Sequence, residues 1–599
     1  MDCNRKTLTV AVAGALAALG AGQAFALPPG SWVNGTQQVY ISGSSALNPT
    51  IAIVMAKNVC TSGSLDQYVF GANDVAYFCT RADGGGNVVV YKSSVNGSGN
   101  GVVPFVVSPT SSVTFLSMAS IAATPSFCPS TSTVASVSVI GETVGVPSYV
   151  VDTCDATQSS LRSNPAKPDA GLSDIEPSFF TTTSVGTKIT SGPANALVFG
   201  FVASTNLYRA LQKAQGLDST SIGCSATRTA SVINSVATGN TGTTFASTVT
   251  TATALVFTAC TGTLTSANLD TSITDTTLYG GNVYIADNEA NMPSLTTEQI
   301  GSLFTGQVAT WDLLVNSAGT PITDASIGNQ SDTTLWVARR VPTSGTQKSS
   351  EIYLTRGAQG GGDDGLAFTP TNAYPAMCST SALGFLPGVA DPVADDDLQL
   401  CNNVQETIRD PRITSGNPFL STGSLVGLTP LPFEGSGTGN VLNCLTLLNG
   451  RGKWGIGIAS VDQKYNAFNG YRFIKVDSYA PSLKNAWNGK YQHWVTPSFN
   501  IPNPAPSNGT AQTVVTTIKS ALNSLITIKA INQSIGLPFG AGALFVTAEG
   551  AVSPPTAPAT LSNMQSNPQL QLTKAPTGSV DSCKPAVVFT GAKTPIITP

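Results

Sequence analysis

Four short stretches of the chain carry side chains that could grip an oxyanion. In VARRVPTSGTQKSS, residues 337–350, Arg340 stands four residues ahead of Ser344, and Ser344-Gly345-Thr346 opens an expected helix over QKSSEIYL. The first N–H groups of a helix have no intrahelical acceptor and lie at the positive end of its dipole, so they suit an anion. A guanidinium folded over the same place can bond two oxygens at once. Arg339 would point away from Arg340 if the segment is a strand. In ISGSSALNPTIAIVMAKN, Ser44, Ser45 and Ala46 lead from a short strand into an apolar helix. Their hydroxyls and N–H groups either cap that helix or hold an oxyanion.

Two further stretches share the design. VYKSSVNGSGNG ends a strand in a glycine-rich loop that presents Ser98, and PDAGLSDIEPSFF places Ser173 and Asp174 after a run of small residues. A carboxylate beside an anion suits a ligand that keeps a proton, because Asp174 can accept that O–H, whereas a fully ionised sulfate leaves two acceptors facing each other. Each stretch alone also fits a plainer reading. These are a surface arginine pair before a capped helix, an N-cap at Ser44 or Ser45, a hairpin turn at Ser98, and an N-cap at Ser173 or Asp174 followed by Pro177.

The elements that must position these residues read as α/β units. Val88–Tyr91 and Ala196–Ala203 are expected strands, the second followed by a helix over NLYRALQKAQGL. In LTTEQIGSLFTG, Thr296 and Gln299 have capping-box spacing, Ile300, Leu303 and Phe304 share a face, and Gly306 can end the helix. Polar stretches at about 101–165, 218–278 and 357–440 read as β-rich insertions on this frame, and the chain after about Pro554 as an extended tail.

The chain has 599 residues, of which 10% are charged, and a formal net charge of −4. That length predicts more than one domain, and the absence of a basic face argues against nucleic acid as a partner. Arg5 and Lys6, the apolar run from Leu8 to Gly22 and Ala24-Phe25-Ala26 predict a signal peptide over 1–26, hence a periplasmic or extracellular location. The ten later cysteines then favour disulfides. Neighbour pairing joins Cys60 to Cys79, Cys128 to Cys154, Cys224 to Cys260, Cys378 to Cys401, and Cys444 to Cys583. The only histidine is His493, so a histidine-rich metal site cannot be built and any serine triad must use that residue, which sits between aromatics as packing or surface residues do. Neither an enzyme nor a cofactor is expected, and no metal.

Together and in this order, the four stretches resemble the periplasmic phosphate-binding protein of the ABC-type phosphate importer. LTTEQIGSLFTGQVATWDLL, GKWGIGIASVD and YRFIKVDSYAPSLKNAWNGKYQHW are similar to other segments of that family. The resemblance implies a two-lobed type II periplasmic-binding-protein fold of the α/β class, with long β-rich, disulfide-stapled insertions. Lobe 1 would begin at 38–190, lobe 2 would span 191–450, and 451–599 would return to lobe 1 and end in an extension. Phosphate would be bound by Ser44, Ser45, Ala46, Ser98, Ser173 and Asp174 from one lobe and by Arg340, Ser344, Gly345 and Thr346 from the other. An ABC-transporter permease would be the partner. Ala46 stands where relatives commonly carry threonine, a departure by which one hydroxyl donor is either missing or supplied by Ser44. The competing readings are a secreted adhesive protein reusing the fold and a binder of another oxyanion or of a phosphate ester.

Overall fold

The computed structural model describes most of residues 27–217, 292–355 and 431–535, with short gaps, and isolated strands at 224–231, 252–260, 407–408, 544–545, 572–573 and 587–588. The expected signal peptide, Cys378, Cys401 and Cys583 lie outside the described residues. Runs rich in valine, isoleucine and aromatics make the strands. In chain order the first are β1 (Gln37–Gly43), β2 (Asp66–Phe70), β3 (Asp74–Thr80), β4 (Asn87–Ser93), β5 (Ser130–Val134), β6 (Tyr149–Cys154), β7 (Ala170–Ser173) and β8 (Ile189–Pro193). There follow β9 (Ala196–Ser204), β10 (Trp336–Arg340), β11 (Thr407–Ile408), β12 (Leu431–Gly435), β13 (Gly455–Ser460), β14 (Tyr471–Phe473), β15 (Trp494–Val495), β16 (Ser498–Pro502) and β17 (Leu544–Phe545).

These strands form two large sheets. The first has the order β8-β16-β7-β1-β4-β3-β2-β6-β5, and the second β11-β12-β10-β13-β9-β14, with β15 and β17 also paired to β9. At the centre of the first sheet β1 runs parallel to both β4 and β7. In the second, β10 runs parallel to both β12 and β13. The flanks are antiparallel apart from β2 with β6, and β9 runs antiparallel to β13. The fold is therefore mixed α/β, with parallel pairing in two triplets and again between β2 and β6.

The principal helices are α1 (Asn48–Val54, continued by a π turn over Met55–Val59), α2 (Thr205–Ala214), α3 (Thr297–Phe304), α4 (Gly345–Thr355), α5 (Thr438–Gly450), α6 (Gly509–Leu522) and α7 (Leu525–Ile535). α3 starts as its sequence requires: the Thr296 N–H donates to Gln299 Oε1 at 2.9 Å and the Gln299 N–H to Thr296 Oγ1 at 3.1 Å. Its Ile300, Leu303 and Phe304 are buried. α6 begins at an Asn508 side chain that accepts from the Thr510 and Ala511 N–H groups, and turns Val514, Val515 and Ile518 into the core.

Several expected boundaries move. The stretch 101–165 is not wholly an excursion, because β6 pairs in parallel with β2 and extends the first sheet. The stretch 357–440 ends too late: β12 is a partner of β10, and α5 already begins at Thr438. The return to the first sheet comes at β16, not at residue 451, since β13 and β14 both pair with β9. The apolar-rich, glycine-spaced run from 455 to 460 is buried along its whole length, and its two edges pair with β9 and β10 of the second sheet.

Cys60–Cys79 and Cys128–Cys154 are disulfides, as neighbour pairing predicts. Cys224 and Cys260 are opposite each other in the register of a hairpin formed by Cys224–Ser231 and Ala252–Cys260. Cys444 is also disulfide-bonded.

Two stability predictions follow from these contacts. Cys60–Cys79 closes a loop with a sequence separation of 19. The double substitution Cys60→Ala, Cys79→Ala should lower the unfolding free energy by about 3 kcal/mol in denaturant titration. An unchanged midpoint would show that this loop is held by packing alone. Asp66 on β2 is buried and accepts from the Tyr68 hydroxyl at 2.7 Å. Burial, with the Asp152 charge adding to it, pushes its carboxyl up to about 7. The folded chain thus holds a proton that the unfolded chain has already released. This contribution is intact below pH 3.8 and is lost as pH rises through about 7. Asp66→Asn should flatten the fall of stability between those values, read as denaturant midpoints across a pH series; an unchanged pH dependence would exclude Asp66 as its source.

Candidate functional site

The carboxyl ends of the two parallel triplets face one another, and the chemistry-bearing residues stand just beyond them. From the first sheet come residues 44–46 after β1, 94–99 after β4 and 174 after β7. From the second come 343–346 after β10, 437–438 after β12 and 461–462 after β13. In open α/β sheets this end of the strands is where ligands bind, because loops leave there and helices begin there. Ser44, Ser45, Ser98, Asp174, Arg340, Ser344, Thr346 and Thr438 are all buried.

The loops can approach because two glycines permit it. Gly43, at φ +103°, ends β1 with backbone that an L side chain rarely adopts, and a Cβ there would lie 2.0 Å from the Leu172 carbonyl oxygen. Gly345 opens α4, where a Cβ would lie 2.6 Å from Ser98 Oγ and 2.7 Å from Asp174 Cβ. Backbone also bridges the two sides directly, since the Gly99 N–H donates to the Thr343 carbonyl at 2.8 Å.

Asp174 is the meeting point. One carboxylate oxygen accepts from the Ser44 hydroxyl. The other accepts from the Thr346 hydroxyl at 2.9 Å. The Asp174 N–H donates to Ser98 Oγ at 3.0 Å. Ser44 and Ser98 follow strands of the first sheet, whereas Thr346 belongs to the first turn of α4. Nearby, burial pushes the Asp462 carboxyl up to about 7, with Asp174 among the groups that add to the rise.

Arg340 is the last residue of β10. Its Nε donates to the Gly435 carbonyl at 3.0 Å, and its Nη1 to Thr438 Oγ1 at 3.1 Å and Thr346 Oγ1 at 3.5 Å. Its own N–H donates to Gln347 Oε1 at 3.2 Å, which ties the strand end to α4. Gly345 and Thr346, as the first residues of α4, carry N–H groups without an intrahelical acceptor, and Ser344 Oγ accepts from the Gln347 N–H at 3.4 Å. Arg339 is buried as well, so the arginine pair is not a surface feature.

Other expected residues have different placements. α1 begins at Asn48 with Leu47 before it, so neither Ser44 nor Ser45 caps it. Ser44 Oγ accepts from the Ala46 N–H at 3.2 Å, which commits that N–H within the loop. Ser45 Oγ accepts instead from the Thr438 N–H at 3.2 Å. Ser173 ends β7 and its hydroxyl donates to the Ile175 carbonyl at 2.5 Å, so it shapes the turn and does not join the cluster. Ser98 lies in a short 3-10 helix over Gly97–Gly101, not in a hairpin turn. His493 is buried with its ring stacked on Tyr353 at 4.6 Å and near Phe201 at 5.1 Å, and its Nε2 lies 3.1 Å from Ser350 Oγ. Both members of that Ser–His pair are sealed from solvent, which suits packing and not nucleophilic attack.

Thr438 is the residue that sequence reasoning missed. It opens α5, whose Gly437 N–H donates to the Asn440 side chain at 2.9 Å. Its signal was present in EGSGTGNVLNCLTLL, where glycines precede an apolar helical period. The site thus gathers one guanidinium, several hydroxyls, helix-start N–H groups and one carboxylate acceptor. That set can hold an oxyanion with a proton.

The Gly345 contacts generate a prediction. Gly345→Ala should push the Ser98–Asp174 side and the α4 side apart, giving a larger radius of gyration by small-angle scattering. An unchanged profile would show that the loops shift locally instead.

No protein-family model matches the sequence, and no curated protein matches it. Among solved structures, the chain is similar to a Clostridium perfringens protein described as a phosphate ABC transporter substrate-binding protein, with phosphate bound. The identity is 9% and the TM-score 0.27, over 80% of this chain and 93% of that one. It is also similar to a phosphate-binding protein from Stenotrophomonas maltophilia, at 12% identity and a TM-score of 0.29, over 65% of this chain and 84% of that one. Both scores are too low to bear on function, which therefore turns on the donors and acceptors themselves.

Proposed function

We propose that the chain is a solute-binding protein that captures inorganic phosphate between two α/β lobes, one built on each large sheet. The observation that carries this reading is the buried convergence on Asp174 and Arg340 of groups from residues 44 to 438. Hydrogen phosphate needs donors for its charged oxygens and one acceptor for its O–H. Arg340, the hydroxyls of Ser44, Ser45, Thr346 and Thr438, and the first N–H groups of α4 supply the donors, and Asp174 supplies the acceptor. On binding, the Ser44 and Thr346 hydroxyls rotate from Asp174 toward ligand oxygens while Asp174 accepts the ligand proton. Fixed dipoles replace the lost hydration, so a single guanidinium in contact is sufficient. Hinged lobes would close over the ligand.

The role in uptake is part of the same proposal: export through the expected signal peptide to a periplasmic or extracellular location, and delivery of phosphate to an ABC-type permease. The disulfides Cys60–Cys79 and Cys128–Cys154 support an oxidising compartment. The ligand selectivity follows from Asp174, which favours phosphate over sulfate.

Isothermal titration calorimetry of protein stripped of carried-over ligand by unfolding and refolding tests the reading. Phosphate should bind saturably and sulfate should not. Arg340→Ala should weaken phosphate by about 100-fold or more, because it removes a buried charged contact. Asp174→Asn should narrow the difference between the two anions, since an amide can donate to sulfate. A correctly folded protein that gives no heat with phosphate would overturn the proposal and favour an adhesive or other surface role for the same fold.

A further inference from the structure

Behind the loop that presents Ser44 and Ser45 lies a lysine that the donor set above does not use. Lys92 is on β4 and only 1% exposed. Its Nζ lies 2.7 Å from the Gly43 carbonyl, 2.9 Å from the Ser44 carbonyl and 2.8 Å from Ser94 Oγ. The Ser93 carbonyl is further off, at 3.5 Å. Ser94 has one hydroxyl hydrogen, which it donates to Asn48 Oδ1 at 2.9 Å. Ser94 must therefore accept from Lys92. Three close acceptors can all be met only by the ammonium, whereas a neutral amine, with two N–H groups, meets two of them.

We propose that Lys92 is a positioning residue of the anion site: its ammonium holds the 43–45 loop by two carbonyls, adds a second positive charge behind it, and couples phosphate binding to uptake of a proton. The inference rests on the phosphate reading and deepens it. A lysine sealed in protein is a poor place for a charge unless anions surround it. The ionisable groups that bear on Lys92 are Asp74, from neighbouring β3, and Asp174, after β7. Asp74 is already engaged by Arg162, whose Nε lies 2.9 Å from Asp74 Oδ2. Asp174 is coupled in turn to Asp462, from the other sheet. Burial lowers the Lys92 ammonium to about 7, against the pull of the two carboxylates. An arriving phosphate adds negative charge beyond the loop and restores the ammonium, with the proton drawn from solvent. As Lys92 gains its third N–H, it can bond Gly43, Ser44 and Ser94 together and fix the loop in the shape that presents Ser44 and Ser45.

The test is calorimetry at pH 8.5, where inorganic phosphate is overwhelmingly the dianion, in Tris and in EPPS, which differ in ionisation enthalpy. The wild type should take up about one proton per phosphate bound. Lys92→Met should take up none and bind phosphate at least about tenfold more weakly. Should that variant fail to fold, lysine labelled with 13C at the ε position reads the same proton, because one buried resonance must move to its ammonium position when phosphate is added to the wild type. Phosphate binding by the wild type without proton uptake would overturn the proposal. So would uptake that persists in Lys92→Met, which would assign the proton to Asp174 or Asp462. Failure of the wild type to bind phosphate is a different result; it would overturn the parent reading and this inference with it.

Discussion

A single buried carboxylate joins the two halves of the site. Asp174 follows β7 in the first sheet, yet one of its oxygens accepts from Ser44 beside it and the other from Thr346 at the start of α4. Charge taken out of water is tolerable only when its lone pairs are met by donors, so the carboxylate and the two hydroxyls constrain each other's position. Gly345 is part of the same constraint, because only a residue without a Cβ lets α4 approach this closely.

The arrangement makes poor sense as a stabilising device. Arg340, Lys92 and Asp174 are each almost fully buried, and replacing buried charges by apolar groups of similar volume is often neutral or favourable for stability. The apolar interior needs no help from them, since tryptophans, valines and isoleucines of both sheets already pack into one extended core. Groups of opposite sign concentrated where strand ends and helix starts meet are instead what an anion of variable protonation would require. On the proposed reading Arg340 and the hydroxyls would meet charge, Asp174 would meet a proton, and Lys92 would set the backbone that carries Ser44 and Ser45.

Much of the local structure was legible because it depends on neighbours in the chain. Thr296 and Gln299 bond each other three residues apart, so α3 could be placed from their spacing alone. β9 was evident from an unbroken apolar run, and the Cys60–Cys79 and Cys128–Cys154 bridges join near neighbours. Thr438 was overlooked because its glycine-rich approach merged with a long polar stretch, although the helix that follows shows a clear apolar period. Lys92 was invisible for another reason: a lysine in a strand ordinarily faces water, and nothing adjacent in sequence marks this one as enclosed by Gly43, Ser44 and Ser94.

By itself the amino-acid sequence determined which residues begin helices, which runs form strands, and which side chains are of the right type to hold an oxyanion. Those properties arise from backbone propensity, hydrogen-bond caps and side-chain chemistry, all of which act over a few residues. Tertiary structure decided that Ser44 meets Asp174, that Ser45 meets Thr438, that Ser173 turns aside to Ile175, and that the chain rejoins the first sheet at β16. These contacts span up to 393 residues. They are set by how two sheets bury their faces and align their strand ends, and no local pattern encodes that alignment because it is a property of the packed layers together.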